Sequence, residues 1–124
     1  MTQMLFIATG GAIGALLRFW LSGGVYNLLG REFPYGTLSV NVIGSLLMGV
    51  LYVLLYERMN IDPEWRAGIL IGLLGAFTTF STFSIETLNL LEAGEHIKAV
   101  SNILLSVSLC IIACWIGVVA ARQL

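Results

Sequence analysis

Charged residues are scarce in this chain of 124 residues, where Lys, Arg, Asp and Glu together make up only 10% of the sequence. A soluble globular domain carries about 25% charged residues, and an intrinsically disordered chain combines high charge with low hydrophobicity. Hydrophobic residues instead account for 58% of the sequence, and the mean hydropathy is +0.94. The composition therefore excludes both classes and indicates a protein whose apolar side chains face lipid or one another.

Metal-binding residues and basic clusters are also few. The single histidine lies in a polar joint and the two cysteines lie in an apolar run, so no zinc or haem spacing exists. The formal net charge is -1 and the six basic residues are scattered singly, which leaves no basic surface for nucleic acid. No nucleophile and base pair is present for catalysis. We expect no nucleic-acid partner and no enzymatic activity, and we treat Cys110 and Cys114 as small hydrophobic side chains.

Long uncharged runs are what the sequence does contain. A helix needs about 20 residues to cross a hydrocarbon core of about 30 Å, and four runs reach or approach that length, with only Arg18 and Glu86 as charged interruptions. Short polar joints with Gly and Pro separate them. The sequence therefore predicts an all-α membrane protein, a single four-helix transmembrane domain over residues 1–124, with spans at about 4–24, 35–56, 67–91 and 99–121.

The distribution of basic residues gives almost no preferred orientation. An even number of spans places both termini and the second joint on one side of the membrane, together with Arg58, Arg66 and Arg122. The other side holds Arg31 and Lys98, and Arg18 lies in the first span toward that end. The positive-inside rule compares such counts. Two interpretations stay open, namely that this small excess orients every copy, or that the chain inserts both ways and forms antiparallel pairs.

The third run is rich in hydroxyl groups. Five of the seven residues from Thr78 to Ser84 are Ser or Thr, which are mediocre helix formers. We predict a helix break near Thr78 to Ser81, which membranes tolerate only where the freed backbone is buried in protein or lines a wet cavity. Freed carbonyls there can ligate a cation and freed amides an anion. The alternative is an unbroken helix whose hydroxyls bond back to the preceding turn.

Further polar and aromatic residues lie in the spans. Phe80 and Phe83 share a helix face, and ring edges carry partial positive charge that suits an anion path, although plain packing is the alternative. Asn41 either serves such a path or only bonds a neighbouring helix. Arg18 and Glu86 either reach the headgroups or line an aqueous entrance. Asn102 and Ser106 form a polar stripe in the fourth span.

Three segments together resemble the CrcB/Fluc family of fluoride channels over the whole chain. They are residues 10–18 (GGAIGALLR), 36–44 (GTLSVNVIG) and 75–86 (GAFTTFSTFSIE), of which the third is the most specific. The resemblance implies a dual-topology homodimer in the bacterial plasma membrane, in which two antiparallel copies form two fluoride pores around a buried structural sodium ion. It also implies passive export of fluoride, which lowers its toxicity in the cytoplasm.

The resemblance also implies roles for individual residues. Phe80 and Phe83 are similar to the pore-lining aromatic pairs of the family. The other implied positions are Asn41, Ser81, Thr37 and Ser106 along the pore, Arg18 and Glu86 at its vestibules, and the backbone carbonyls of Gly75 and Thr78 as sodium ligands.

Two other functions are alternatives to the channel. A small proton-coupled exporter of lipophilic cations is also a four-span antiparallel dimer, but it needs a carboxylate deep in a membrane helix, normally the first. Here the first span contains Arg18, and Glu86 lies near the end of the third. A membrane assembly subunit without transport activity is excluded only by the resemblance and by the hydroxyl-rich run.

Overall fold

The computed structural model describes all 124 residues, and every regular element in it is helical. The chain folds into four long helical segments joined by short loops. The second and third segments contain π-helical stretches. The elements are α1 (Thr2–Leu29), α2 (Tyr35–Tyr52), π1 (Val53–Arg58), α3 (Pro63–Arg66), π2 (Ala67–Leu74), α4 (Gly75–Phe77), α5 (Phe80–Glu92) and α6 (His96–Arg122).

The four segments are long and apolar enough to cross a membrane. They comprise Thr2–Leu29, Tyr35–Arg58, Pro63–Glu92 and His96–Arg122, and at about 1.5 Å per residue each exceeds the hydrocarbon thickness of about 30 Å. The predicted all-α membrane fold with four spans is confirmed. The helices are longer than the predicted spans because an apolar run stops at the first charged residue, whereas a helix continues until its backbone is capped.

Proline and glycine set the ends of the segments. Pro63 is the first residue of α3, where a missing amide hydrogen costs nothing. Gly30 ends α1 with φ +86°, and Gly94 lies in the turn between α5 and α6 with φ +80°. Both conformations favour glycine because it has no Cβ. The loops are therefore tight, and consecutive segments run antiparallel.

Glycines form the closest helix contacts, and Gly10, Gly14, Gly68 and Gly72 have the four-residue spacing that lets helix backbones approach closely in lipid. The α1 helix packs mainly on π2, and α2 packs mainly on α6. A Cβ added to Gly10 would overlap the carbonyl oxygen of Gly68. A Cβ on Gly49 would overlap the carbonyl oxygen of Cys114 on α6 in the same way. Backbone thus meets backbone at both interfaces, which is how membrane helices gain dispersion contacts without a hydrophobic driving force.

The two π-helical stretches were not predicted. Their i to i+5 hydrogen bonds are rare in proteins and concentrate near functional sites. The residues of Ala67–Leu74 are all apolar or glycine, and none of them favours a π-helix over an α-helix. The sequence pattern therefore could not predict this stretch. The short helix Gly75–Phe77 separates it from the hydroxyl-rich run of the third segment.

Most of the apolar surface faces outward. Only 24 of the 124 residues are buried, and the internal cluster of buried hydrophobic residues contains just Leu55, Leu70 and Leu74. A water-soluble chain does not expose this much contiguous apolar surface. The protein is therefore suited to a lipid environment, and its closest internal contacts are those of the two glycine-mediated helix pairs.

Candidate functional site

The third segment leaves helical geometry at two residues. Helix α4 ends at Phe77, Thr78 has φ -92° and ψ 160°, and Thr79 has φ -153° and ψ 116°. Helix α5 begins at Phe80. Thr78 faces α2 closely, since a Cβ on Gly44 would overlap its methyl group. The two threonines therefore form an extended link between two helical pieces, which we call the Thr78–Thr79 link.

Asn41 on α2 pairs with the backbone of this link. Its Nδ2 donates to the carbonyl oxygen of Thr79 at 3.0 Å, and its Oδ1 accepts from the amide of Thr79 at 2.8 Å. One side-chain amide thus satisfies both polar groups of an extended residue, as a neighbouring strand would. Lipid could not do so.

Thr79 also caps helix α5. Its Oγ1 accepts from the amide of Thr82 at 3.1 Å and donates to the Thr82 hydroxyl at 3.0 Å, while the Ser81 hydroxyl lies 3.2 Å away. A threonine at this position satisfies one of the orphan amides at a helix start. The hydroxyl-rich composition of the run therefore has a local structural purpose.

The bonds to Asn41 and to the Thr79 hydroxyl use two backbone amides that would otherwise bond within a continuous helix. In an α-helix the amide of Thr79 would bond the carbonyl of Gly75, and that of Thr82 would bond the carbonyl of Thr78. Here the first bonds Asn41 and the second bonds the Thr79 hydroxyl. The carbonyls of Gly75 and Thr78 thereby lose their helical donors. On the other side of the link, the first amides of α5 have no acceptor within the helix.

A cavity of about 420 Å³ opens beside the link, between α2, α5 and α6. It brings together several sequence-predicted residues that are far apart along the chain. Phe83 is 8% exposed whereas Phe80 is 75% exposed, and their ring centroids lie 5.2 Å apart at an angle of 46°. The predicted residues that line this cavity are Asn41, Thr78, Phe80, Phe83 and Ser106.

Thr37, Ser81 and Arg18 do not line this cavity. Thr37 is buried one turn before Asn41 and contacts the hydroxyl of Tyr26 at 3.4 Å. Ser81 is exposed beside Thr79. Arg18 is half-buried, and its Nε is a buried atom without a hydrogen-bond partner.

Glu86 lines a second, smaller cavity of about 240 Å³ together with Tyr26, Arg31 and Glu32. The Tyr26 hydroxyl donates to Glu86 Oε2 at 2.9 Å, while Glu86 Oε1 is buried without a partner. The Arg31 guanidinium lies 4.6 Å from the centre of the Tyr26 ring. Sequence reasoning missed Tyr26, because a tyrosine near the end of a span is most simply a membrane-interface anchor.

A buried chain of hydrogen bonds joins α5 to α6. Asn102 donates to the Thr87 hydroxyl at 2.9 Å, Thr87 donates to the Phe83 carbonyl at 2.7 Å, and Ser106 donates to Asn102 Oδ1 at 3.3 Å. The spacing of Asn102 and Ser106 predicted their shared face, but nothing in the sequence distinguished Thr87. This series of hydrogen bonds ends at Ser106, which lines the larger cavity.

The fold and the site define a multi-pass helical membrane protein with a cavity, largely apolar but with a few polar side chains, at an extended link in its third segment. The family model described as CrcB-like protein, Camphor Resistance (CrcB), matches residues 5–118. The chain belongs to this family, as the three motifs predicted.

Curated relatives bear the name fluoride-specific ion channel FluC. The protein from Geobacter sulfurreducens is 52% identical over 124 residues, the full length of both chains. The one from Shewanella amazonensis is 55% identical over 117 residues, 94% of each chain. The one from Methylococcus capsulatus is 58% identical over 122 residues, but this chain spans only 54% of its length. These relatives are named as ion channels and not as enzymes. This confirms the expectation that the chain is not an enzyme.

Proposed function

We propose that this protein is a fluoride-selective channel that passively exports fluoride across the plasma membrane. The observation that carries the proposal is the 52% identity over the entire chain to a protein named as a fluoride-specific ion channel. The cavity beside the Thr78–Thr79 link is the part of the molecule we assign to the ion. Hydrofluoric acid enters cells from acidic surroundings and dissociates inside, so a passive path driven by membrane potential lowers cytoplasmic fluoride.

The cavity lining suits an anion that must enter and leave. No Lys or Arg lines it, so no fixed positive charge would hold the ion. Weak donors are present instead, namely the second hydrogen of the Asn41 amide and the positively polarised edges of Phe80 and Phe83. The Ser106 hydroxyl would join them by turning its hydrogen from Asn102 Oδ1 toward the ion. The start of α5 adds backbone amides and the positive end of a helix dipole. Conduction needs this combination of sufficient attraction and easy release.

We assign the working unit to an antiparallel homodimer with two pores. Phe80, just after the Thr78–Thr79 link, is 75% exposed, and Gly75, before the link, is also exposed. The diverted carbonyls beside them cannot be satisfied by lipid, so a second copy is the partner that would cover them. The small difference in basic residues between the two ends permits insertion in both orientations.

The carbonyls of Gly75 and Thr78 fit a sodium ion. Oxygen atoms are the ligands of hard cations, and both carbonyls have lost their helical donors to Asn41 and Thr79. Unwound backbone at a helix interruption is a recurrent sodium ligand in membrane proteins. A bound sodium ion would supply positive charge between the two copies. The chain's own contribution is to hold these carbonyls free of hydrogen bonds.

Glu86 and Arg18 are assigned to the pore entrances, and Thr37 and Ser81 to the polar surroundings of the pore. Glu86 belongs to a cavity that also contains Arg31 and Glu32 from the first loop, which favours a position at one mouth. The cation exporter is a weaker candidate because no carboxylate lines the larger cavity.

The deciding experiment is ion efflux from liposomes that contain the purified protein. A potassium gradient with valinomycin sets the voltage, and fluoride and chloride electrodes record both anions in parallel. We expect rapid loss of fluoride and no loss of chloride. Absence of fluoride loss from folded protein would overturn the proposal and return the cation exporter and the assembly subunit to consideration.

A further inference from the structure

Three sulfur-containing side chains line the larger cavity, although the sequence assigned them no function. Cys110 and Cys114 come from α6 and Met48 comes from α2. Both cysteines are free thiols and half-buried. Their spacing of four residues places them on one helix face with Cβ atoms about 5–6 Å apart. Gly49, which follows Met48, packs on the carbonyl of Cys114, so Met48 and Cys114 lie at the same level of the α2–α6 interface.

We propose that Cys110 and Cys114 form a thiophilic metal site inside this cavity, with Met48 as an additional thioether ligand. Thiolates and thioethers are soft ligands that select soft metal ions. A divalent ion binds the two thiols with loss of both protons: two S–H bonds break, two metal–sulfur bonds form, and two H⁺ are released. The complex is electrically neutral, which matters because a net charge in a membrane interior is costly.

The same chemistry identifies the class of ion. Hard cations such as sodium and magnesium prefer oxygen ligands, and structural zinc is normally held by four protein ligands, whereas this cluster offers three. A soft divalent ion that is satisfied by two thiolates, of which Hg²⁺ is the practical probe, matches the two cysteines in charge and leaves Met48 as a third, neutral ligand.

Occupation of the site would obstruct the anion. Cys110 lines the cavity together with Phe83 and Ser106, so a metal complex there would fill space assigned to fluoride and occupy it without adding an attractive charge. This consequence rests on the proposed function, whereas metal binding does not.

Binding is tested on the purified full-length protein in detergent with Hg²⁺ as titrant. We expect one ion per chain, release of two protons per ion in weakly buffered solution, and retention against a millimolar monothiol competitor. A second linked ligand raises apparent affinity by about 10² or more, so Cys110→Ser and Cys114→Ser should each release the ion to the competitor. Two ions per wild-type chain, or retention by either variant, would overturn the proposal.

Flux is the second readout, measured in the same liposomes. Hg²⁺ should abolish fluoride efflux of the wild type, excess dithiothreitol should restore it, and Cys110→Ser should conduct in the presence of Hg²⁺ and the monothiol. A tightly bound ion that leaves efflux unchanged would overturn the blocking consequence. Absence of fluoride efflux before any metal is added would overturn the proposed function, while the binding measurement would still decide the metal site.

Discussion

Asn41 combines a structural contact with a position on the cavity that we assign to the ion. Its amide makes two hydrogen bonds to Thr79, and it lines the cavity with a donor to spare. Helix bonding and a role along the ion path were alternatives at the level of sequence. The geometry makes them compatible, because the contact that holds the extended link also aims the amide at the cavity.

Replacing Asn41 by Asp tests this double role. The carboxylate can still accept from the Thr79 amide but cannot donate to its carbonyl, and it adds a negative charge beside the proposed path. We expect fluoride efflux from liposomes to fall by at least about tenfold, equivalent to about 1.4 kcal/mol of barrier. Asn27→Asp, at an exposed position of α1, is the matched control and should conduct normally. Normal efflux from the Asn41 variant would restrict Asn41 to helix bonding.

The two phenylalanines are tested by removing aromaticity while keeping an apolar side chain. An aromatic contact is worth about 0.5–1.5 kcal/mol beyond its buried area, so Phe80→Ile or Phe83→Ile should lower fluoride efflux by up to about tenfold. The size-exclusion profile of the protein should not change. Phe19→Ile, at a residue of α1 that is 72% exposed, serves as control. Unchanged efflux in both pore variants would remove the argument from ring edges.

At the scale of elements, backbone contact between glycines decides how the helices meet. The third segment packs against α1 through Gly68 and Gly72, and this contact positions the residues that lead into the Thr78–Thr79 link. The link itself is held from the other side by Asn41 of α2. Two different helices therefore support the site: α1 through backbone contacts at glycines, and α2 through the hydrogen bonds of Asn41.

Gly72→Ala should destabilise this arrangement. An added Cβ would lie 2.5 Å from the carbonyl oxygen of Ile7, and such overpacking costs about 1–3 kcal/mol. Gly23→Ala provides the control, since nothing lies within 4 Å of its added Cβ and alanine is up to about 1 kcal/mol better than glycine in a helix. Thermal denaturation in detergent should rank Gly23→Ala at or above the wild type, and Gly72→Ala below it. Equal stability of the two variants would contradict this account of the interface.

At the scale of the whole molecule, the two ends of the bundle carry nearly equal numbers of basic residues. Arg122 forms an ion pair with Glu57 at 2.9 Å, and Arg58 donates to the carbonyl of Arg122. These contacts tie π1 to the end of α6 and bring together two of the basic residues that were assigned to one side of the membrane. The basic residues of the other end, Arg31 and Lys98, nearly balance them in number. This balance is what an antiparallel pair requires.

Orientation is tested by adding charge to one end at a time. Asn60→Lys with Gln123→Lys should bias all copies one way, and Glu92→Lys with Ala93→Lys should bias them the other way. Each double variant alone should give little fluoride flux in cells or membranes, and coexpression of the two should restore it. Full activity of both variants when expressed alone would contradict the antiparallel dimer.

The sequence by itself determined the class of the protein, the number of spans and the family. These follow from properties that are additive along the chain: an apolar run of about 20 residues crosses a membrane whatever its neighbours are, and the GAFTTFSTFSIE segment identifies the family by residue order alone. The packing roles of Gly10, Gly14, Gly68 and Gly72 were also predictable, because small residues at four-residue spacing form a helix contact face.

Only the tertiary structure decided which polar groups meet. The pairing of Asn41 with Thr79, the contact of Tyr26 with Glu86, the burial of Thr87 and the shared cavity of Met48, Cys110 and Cys114 each join helices that are distant in sequence. The rotation and depth of each helix set these contacts, and both depend on close packing at the glycine interfaces. Periodicity within a single helix gives the face of a residue but not the partner that it meets across the interface.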